Sequence, residues 1–224
     1  GMVFNSCTGP SDPELIRQQQ IGYYACITHV DHQIGRIIQA LIEHRLLDNT
    51  VILFTSDHGE MLSDHGWCRK SLPYNGSAHI PMFISGPERF IGPRGRVEDS
   101  LVELRDVMPT LLDLAGAPIP EHLDGKSMLH PIDREYLHGE HTFSFNHWSS
   151  QFIVTKTDKF VWLNERNEEQ YFDLVHDPDE THNAIHDPDK QERIAYLRNL
   201  LIQELRDSEE GYSDGTRLIP GRTP

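Results

Sequence analysis

Apolar residues recur at Leu15, Ile16, Ile21, Tyr24, Ile27, Val30, Ile34, Ile37, Ile38, Leu41, Ile42 and Leu46, a spacing that predicts one long helix to about Leu47. Ser11, Asp12, Pro13 and Glu14 offer an N-cap, a first-turn proline and an early carboxylate, and Asp48-Asn49 ends the run. Val51, Ile52, Leu53 and Phe54 then form an unbroken apolar stretch that stops at Ser56-Asp57-His58-Gly59. This predicts a buried parallel strand presenting polar groups just past its C-terminal end, where open α/β sheets place their chemistry. Neighbouring strand residues point to opposite faces. Asp57 and His58 therefore converge on one ion only where the chain has left the extended conformation, which Gly59 makes easy.

Farther on, residues 79–85 read as a second strand closed by Gly86-Pro87, residues 92–96 as a turn, and residues 97–104 as a third strand. Asp106 is expected to cap a helix through Leu114, with Pro109 in its first turn and Gly116 closing it. Helix and strand thus alternate over the first two thirds, favouring a helix-flanked mixed or parallel sheet. The last third changes character. Residues 134–141, 151–157, 159–164 and 170–175 are short strand candidates that suggest an antiparallel meander. A helix starting at Asp187-Pro188 follows, with Ile194, Leu197, Leu200, Leu201 and Leu205 on one face. The expected fold class is α/β, an α/β portion over residues 1–130 joined to a small α+β subdomain over 131–207, with an irregular tail over 208–224.

With 224 residues and 37% hydrophobic content, the chain has enough for one large or two small domains. Its 35 acidic and 20 basic residues leave a net charge of −15, which argues against nucleic acid or an anionic membrane as partner. No apolar run approaches the ~18 residues that span a bilayer. Localisation is unread from this stretch; a periplasmic or secreted location would need an export signal upstream. The three cysteines stand at unrelated spacings and form neither a metal framework nor a full disulfide set. A carboxylate beside an imidazole at Asp57-His58 suits a divalent cation, and Lys70 brings a fixed positive charge for an anionic substrate. His29, Asp31 and His32 fall inside the long helix and read as a solvated face or a hydrogen-bonded pair outside the site.

These residues carry a resemblance. Thr55-Ser-Asp-His-Gly-Glu-Met-Leu-Ser-Asp-His-Gly66, then Lys70 and Leu72-Pro-Tyr-Asn-Gly-Ser-Ala-His79-Ile-Pro81, resemble the second-half signature of the type I, formylglycine-dependent sulfatases of the alkaline-phosphatase superfamily. Tyr23 to Gly35, Asp106 to Gly116 and Tyr171 to Asn183 are similar to family stretches in the same order. The family's nucleophile motif, Cys/Ser-x-Pro-x-Arg, is absent: Ser71-Leu-Pro73-Tyr-Asn75 has Asn where Arg belongs, and Leu218-Ile-Pro220-Gly-Arg222 has Leu where the nucleophile belongs. The acidic pair that completes the family's metal site is absent too.

The resemblance implies the C-terminal half of an alkaline-phosphatase-like fold and hydrolysis of sulfate esters. It assigns Asp57 and His58 to the metal, Lys70 to the sulfate and leaving oxygen, and His79 to substrate. Calcium is the family's usual metal, while the imidazole of His58 leaves Mg, Mn or Zn open. Formylglycine is not encoded in this chain, so activity of the chain alone is not expected. The implied partners are a sulfated small molecule or glycan, together with self-association or pairing with a missing N-terminal half. The alternatives are a phosphodiesterase or phosphatase-like member of the same superfamily and a non-catalytic binding module.

Overall fold

The computed structural model describes residues 6–10, 12–141 and 149–221; Ser11 and Arg222 of the sequence reading lie outside them. In chain order the elements are β1 (Ser6–Thr8), α1 (Pro13–Glu43), β2 (Ile52–Thr55), β3 (Trp67–Arg69), α2 (Asn75–Ala78), β4 (Met82–Ser85), α3 (Glu88–Ile91), α4 (Val107–Leu114), β5 (Leu137–His141), β6 (Ser150–Val154), β7 (Asp158–Leu163), β8 (Glu168–Asp173) and α5 (Gln191–Glu204). They divide into two compact units. The first comprises residues 1–70, 79–98 and 104–130, and the second residues 71–78, 99–103 and 131–224.

In the first unit α1 begins where Asp12 accepts a hydrogen bond from the Glu14 amide at 2.9 Å, the local capping that its sequence favours. It ends at Glu43, short of Leu47, because Arg45 turns left-handed at φ 57°. No described residue of α1 is buried, and Leu15, Ile21, Tyr24, Ile27, Val30, Ile37 and Ile42 are at least half exposed. His29, Asp31 and His32 are exposed on the same helix.

The strand at Val51 was expected to be parallel and buried. Instead β2 pairs antiparallel with β4, and its four residues are only half-buried. The register sets Phe54 opposite Phe83, and the rings stack with centroids 4.8 Å apart, a cross-strand contact that fixes the pairing. Residues 97–103 form no strand: Val97 is 89% exposed, and the Leu101 carbonyl accepts from the Arg134 guanidinium at 2.9 Å in place of a strand partner. Asp106 does not cap α4 with its side chain. Its carboxylate accepts from the Lys126 amide at 2.8 Å, and a Cβ on Gly125 would come within 1.9 Å of the Arg105 carbonyl oxygen, so only glycine permits this approach.

The second unit carries the predicted meander, a four-stranded antiparallel sheet in the order β5-β6-β7-β8. Its core joins Ile153, Phe160, Trp162 and Tyr171 to Ile194, Leu197, Leu201 and Leu205, each fully buried side chain contributing about 1.5–3 kcal/mol. The tail packs here as well, with Tyr212 meeting Trp162 edge-on at 6.0 Å. Among the described residues no helix is long and apolar enough to cross a membrane.

At the start of β7 Asp158 accepts hydrogen bonds from Arg193 Nε at 2.7 Å and Nη2 at 3.0 Å, from the Tyr171 hydroxyl at 3.1 Å, and from Thr155. Burial pushes this carboxyl up, but Arg193, Thr155 and Tyr171 outweigh it and hold it below the usual carboxylate range. A folded-state value below the unfolded one gives stability that is present above about pH 4 and is lost as pH falls through the folded value. Arg193→Met should therefore cost about 1–2 kcal/mol at pH 7 and flatten the loss of stability between about pH 5 and pH 3. Urea midpoints at each pH measure this; equal midpoints for both proteins at pH 7 would contradict it.

Candidate active site

Past the end of β2 the chain leaves the extended conformation. The Asp57 carboxylate accepts from its neighbour's amide, His58 N, at 3.0 Å, and its second oxygen lies 3.3 Å from His58 Nε2. His58 Nδ1 contacts the Gly59 carbonyl oxygen at 2.8 Å. A carbonyl only accepts, so Nδ1 carries the proton, and in the neutral ring Nε2 presents its lone pair beside the Asp57 carboxylate. Two donor atoms 3.3 Å apart match neighbouring positions around a cation with bonds of about 2.3 Å. Asp57 is largely exposed and His58 about one third exposed. Among the described residues no group of three or more His, Cys, Asp or Glu gathers about a common point.

Gly59 does not use the left-handed region. That conformation falls on four residues that disfavour it, Leu62 (φ 48°), Ser63 (78°), His65 (53°) and Arg69 (72°), and such strain concentrates at functional loops. What holds it is Glu60. Its Oε1 accepts from the Leu62 amide at 3.3 Å and from the Arg69 amide, while Met61 N donates to the Arg69 carbonyl at 2.7 Å and Ser63 N to the Trp67 carbonyl at 2.8 Å. Met61 is fully buried beneath the loop. The sequence signal for Glu60 is a carboxylate two residues past Asp57-His58.

Lys70 follows β3 directly and is half-buried. Its ammonium makes no hydrogen bond or ion pair among the described residues, which leaves the charge available to a bound anion. His79 is exposed, one residue past α2. The structure thus brings Asp57 and His58 together, sets Lys70 at the far end of the loop that Glu60 closes, and leaves His79 at the surface.

Comparison with known proteins places this arrangement in a class. Residues 5–117 match the sulfatase family model, and residues 63–207 match the C-terminal model of N-sulphoglucosamine sulphohydrolase. The chain belongs to the sulfatase family. An arylsulfatase of Clostridium perfringens is 48% identical over 228 residues, covering 99% of this chain and 47% of that protein. Human arylsulfatase K is 33% identical over 196 residues, covering 80% of this chain and 36% of that protein. The chain therefore spans less than half the length of these relatives.

Among solved structures, one of a protein bound to its substrate D-glucosamine-2-N,6-O-disulfate aligns with a TM-score of 0.74 at 26% identity, covering 82% of this chain and 40% of the other. The phosphonate monoester hydrolase of Agrobacterium radiobacter aligns with a TM-score of 0.70 at 31% identity, over the same shares. These neighbours agree with an α/β fold of the alkaline-phosphatase type.

Removing the Glu60 carboxylate should free the strained loop. Glu60→Ala is expected to speed trypsin cleavage at Arg69 and Lys70 about tenfold, since hydrogen bonds to a charged acceptor contribute roughly 1.5–3 kcal/mol. Peptide mapping over time reads the rate. Unchanged cleavage would show that Glu60 does not hold the loop.

Proposed function

We propose that this chain is the C-terminal portion of a formylglycine-dependent sulfatase that hydrolyses sulfate esters of a sulfated small molecule or glycan. The observation that carries the proposal is the Asp57–His58 donor pair at 3.3 Å, followed along the chain by Lys70, whose ammonium has no partner among the described residues. Asp57 and His58 would hold a divalent metal. Calcium is favoured by the family, but Nε2 of His58 as a donor admits Mn or Zn. When bound, the metal supplies positive charge to a sulfate oxygen. Lys70 neutralises charge on the sulfuryl oxygens and on the departing oxygen, where it is most effective as the ester bond breaks. With Nδ1 donating to the Gly59 carbonyl, Nε2 is the ring atom that would hold the metal. His79 would contact the substrate beyond the sulfate. The nucleophile is not encoded here and would come from a complementary N-terminal portion, for which the half-exposed apolar residues of α1 offer a seat. In its absence the same face would take up a second copy.

A second reading, hydrolysis of a phosphonate or phosphodiester, draws support from the 31% identity to the phosphonate monoester hydrolase. A metal and a lysine serve any tetrahedral oxyanion. The test sets an aryl sulfate beside an aryl phosphonate monoester, with the chain alone and with the chain combined with an N-terminal polypeptide bearing Cys/Ser-x-Pro-x-Arg. The expected result is turnover only in combination, faster on the sulfate, and at least tenfold slower with Lys70→Ala. Turnover by the chain alone would overturn the missing nucleophile, and preference for the phosphonate would favour the second reading. Light scattering on the chain alone should show dimers or larger species; a monodisperse monomer would count against the exposed face as a seat.

A further inference from the structure

Two of the three cysteines, unrelated by spacing, are brought to one position in the fold. β1 and β3 form an antiparallel ribbon in which Ser6, Cys7 and Thr8 stand opposite Arg69, Cys68 and Trp67. Just beyond it, the Gly9 amide donates to the Gly66 carbonyl at 2.8 Å, which continues the same register. Bonded and non-bonded pairs alternate along an antiparallel ladder, so Cys7 and Cys68, two steps from that bonded pair, are a bonded pair as well, with Cα atoms about 5.5 Å apart. Disulfides most often bridge Cα atoms at about this distance. The Cys68 Sγ is buried, accepts from Gln19 Nε2 at 3.0 Å and lies 3.8 Å from Ser63 Oγ. At Gly9 a Cβ would come within 3.0 Å of that sulfur, so the absence of a side chain there keeps the space open.

We propose that Cys7 and Cys68 form a cross-strand disulfide under oxidising conditions, a redox latch on the loop that ends at Lys70. With a small-molecule disulfide such as oxidised glutathione as oxidant, one cysteine thiolate attacks it and releases one glutathione thiol. The second cysteine thiolate then displaces the other glutathione, so two cysteines are oxidised, one disulfide is reduced and the two cysteine protons end on the two glutathione thiols. The new bond ties β3, which leads directly into Lys70, to β1 and closes the chain from residue 7 to residue 68. Cys26, exposed on α1, has no partner in this scheme.

The test equilibrates the native protein with oxidised or reduced glutathione, alkylates remaining thiols and digests with trypsin without reduction. Cleavage after Arg17, Arg36, Arg45 and Arg69 puts Cys7, Cys26 and Cys68 on separate peptides, 1–17, 18–36 and 46–69. The expected product is 1–17 joined to 46–69, two hydrogens lighter than the sum and lost on reduction, with Cys26 alkylated or carrying glutathione. It should persist in Cys26→Ser and vanish in Cys7→Ser. Alkylated Cys7 and Cys68 after oxidation, glutathione retained on each, or linkage through Cys26 would overturn the proposal.

Discussion

The site depends on one carboxylate accepting backbone hydrogen bonds from both ends of a loop. Between Met61 and Lys70 four non-glycine residues adopt left-handed backbone, each at a cost of about 1–2 kcal/mol. Nothing in their own chemistry favours that conformation. Glu60 offsets the cost by binding the amides of Leu62 and Arg69, and the cross-loop bonds of Met61 and Ser63 with buried Met61 complete the closure. Asp57 and His58 lie on one side of Glu60 along the chain and Lys70 on the other. The loop thus fixes the backbone at Lys70, whose ammonium has no hydrogen bond or ion pair among the described residues.

The second unit is organised around a different buried charge. Lys159, almost fully buried, donates to the Pro73 carbonyl at 2.9 Å and to Asn75 Oδ1 at 2.8 Å, and it pairs with Glu180. Glu180 in turn accepts from the Asn75 amide at 2.5 Å. Burial pushes the Lys159 ammonium down and Glu180 partly restores it. Removing either partner would strand a buried charge, typically a loss of about 3–5 kcal/mol. The stretch from Tyr171 to Asn183 supplies much of this support. Asn183 accepts from the Tyr171 amide at 3.0 Å, Asp177 accepts from the Thr181 and His182 amides, and Lys190 with His176 holds the Asp173 carboxyl well below its usual range. A motif that identifies the family here does structural work.

What could be read from the sequence follows from which forces are local. Periodicity gave α1, the meander and α5 within a few residues, because capping, apolar spacing and turn residues act over short distances. Alternation at residues 97–104 misled, because a strand needs a partner, and Arg134 satisfied the Leu101 carbonyl from far along the chain. The direction of β2 was hidden for the same reason: Phe83, which pins it, lies 29 positions from Phe54. At the site, Asp57, His58 and Lys70 were legible as chemistry, whereas the role of Glu60 and the opposition of Cys7 to Cys68 were not. Both depend on chain segments folding back in a way that spacing does not encode.

The central claim is that Asp57 and His58 form a cation-binding pair. Nuclear magnetic resonance on the chain with labelled histidine, titrated with Mn²⁺, tests it most directly. Selective paramagnetic broadening of the His58 ring signals, ahead of the other histidines and abolished by Asp57→Asn, is the predicted result. Broadening that spares His58, or that persists unchanged without the Asp57 carboxylate, would contradict it.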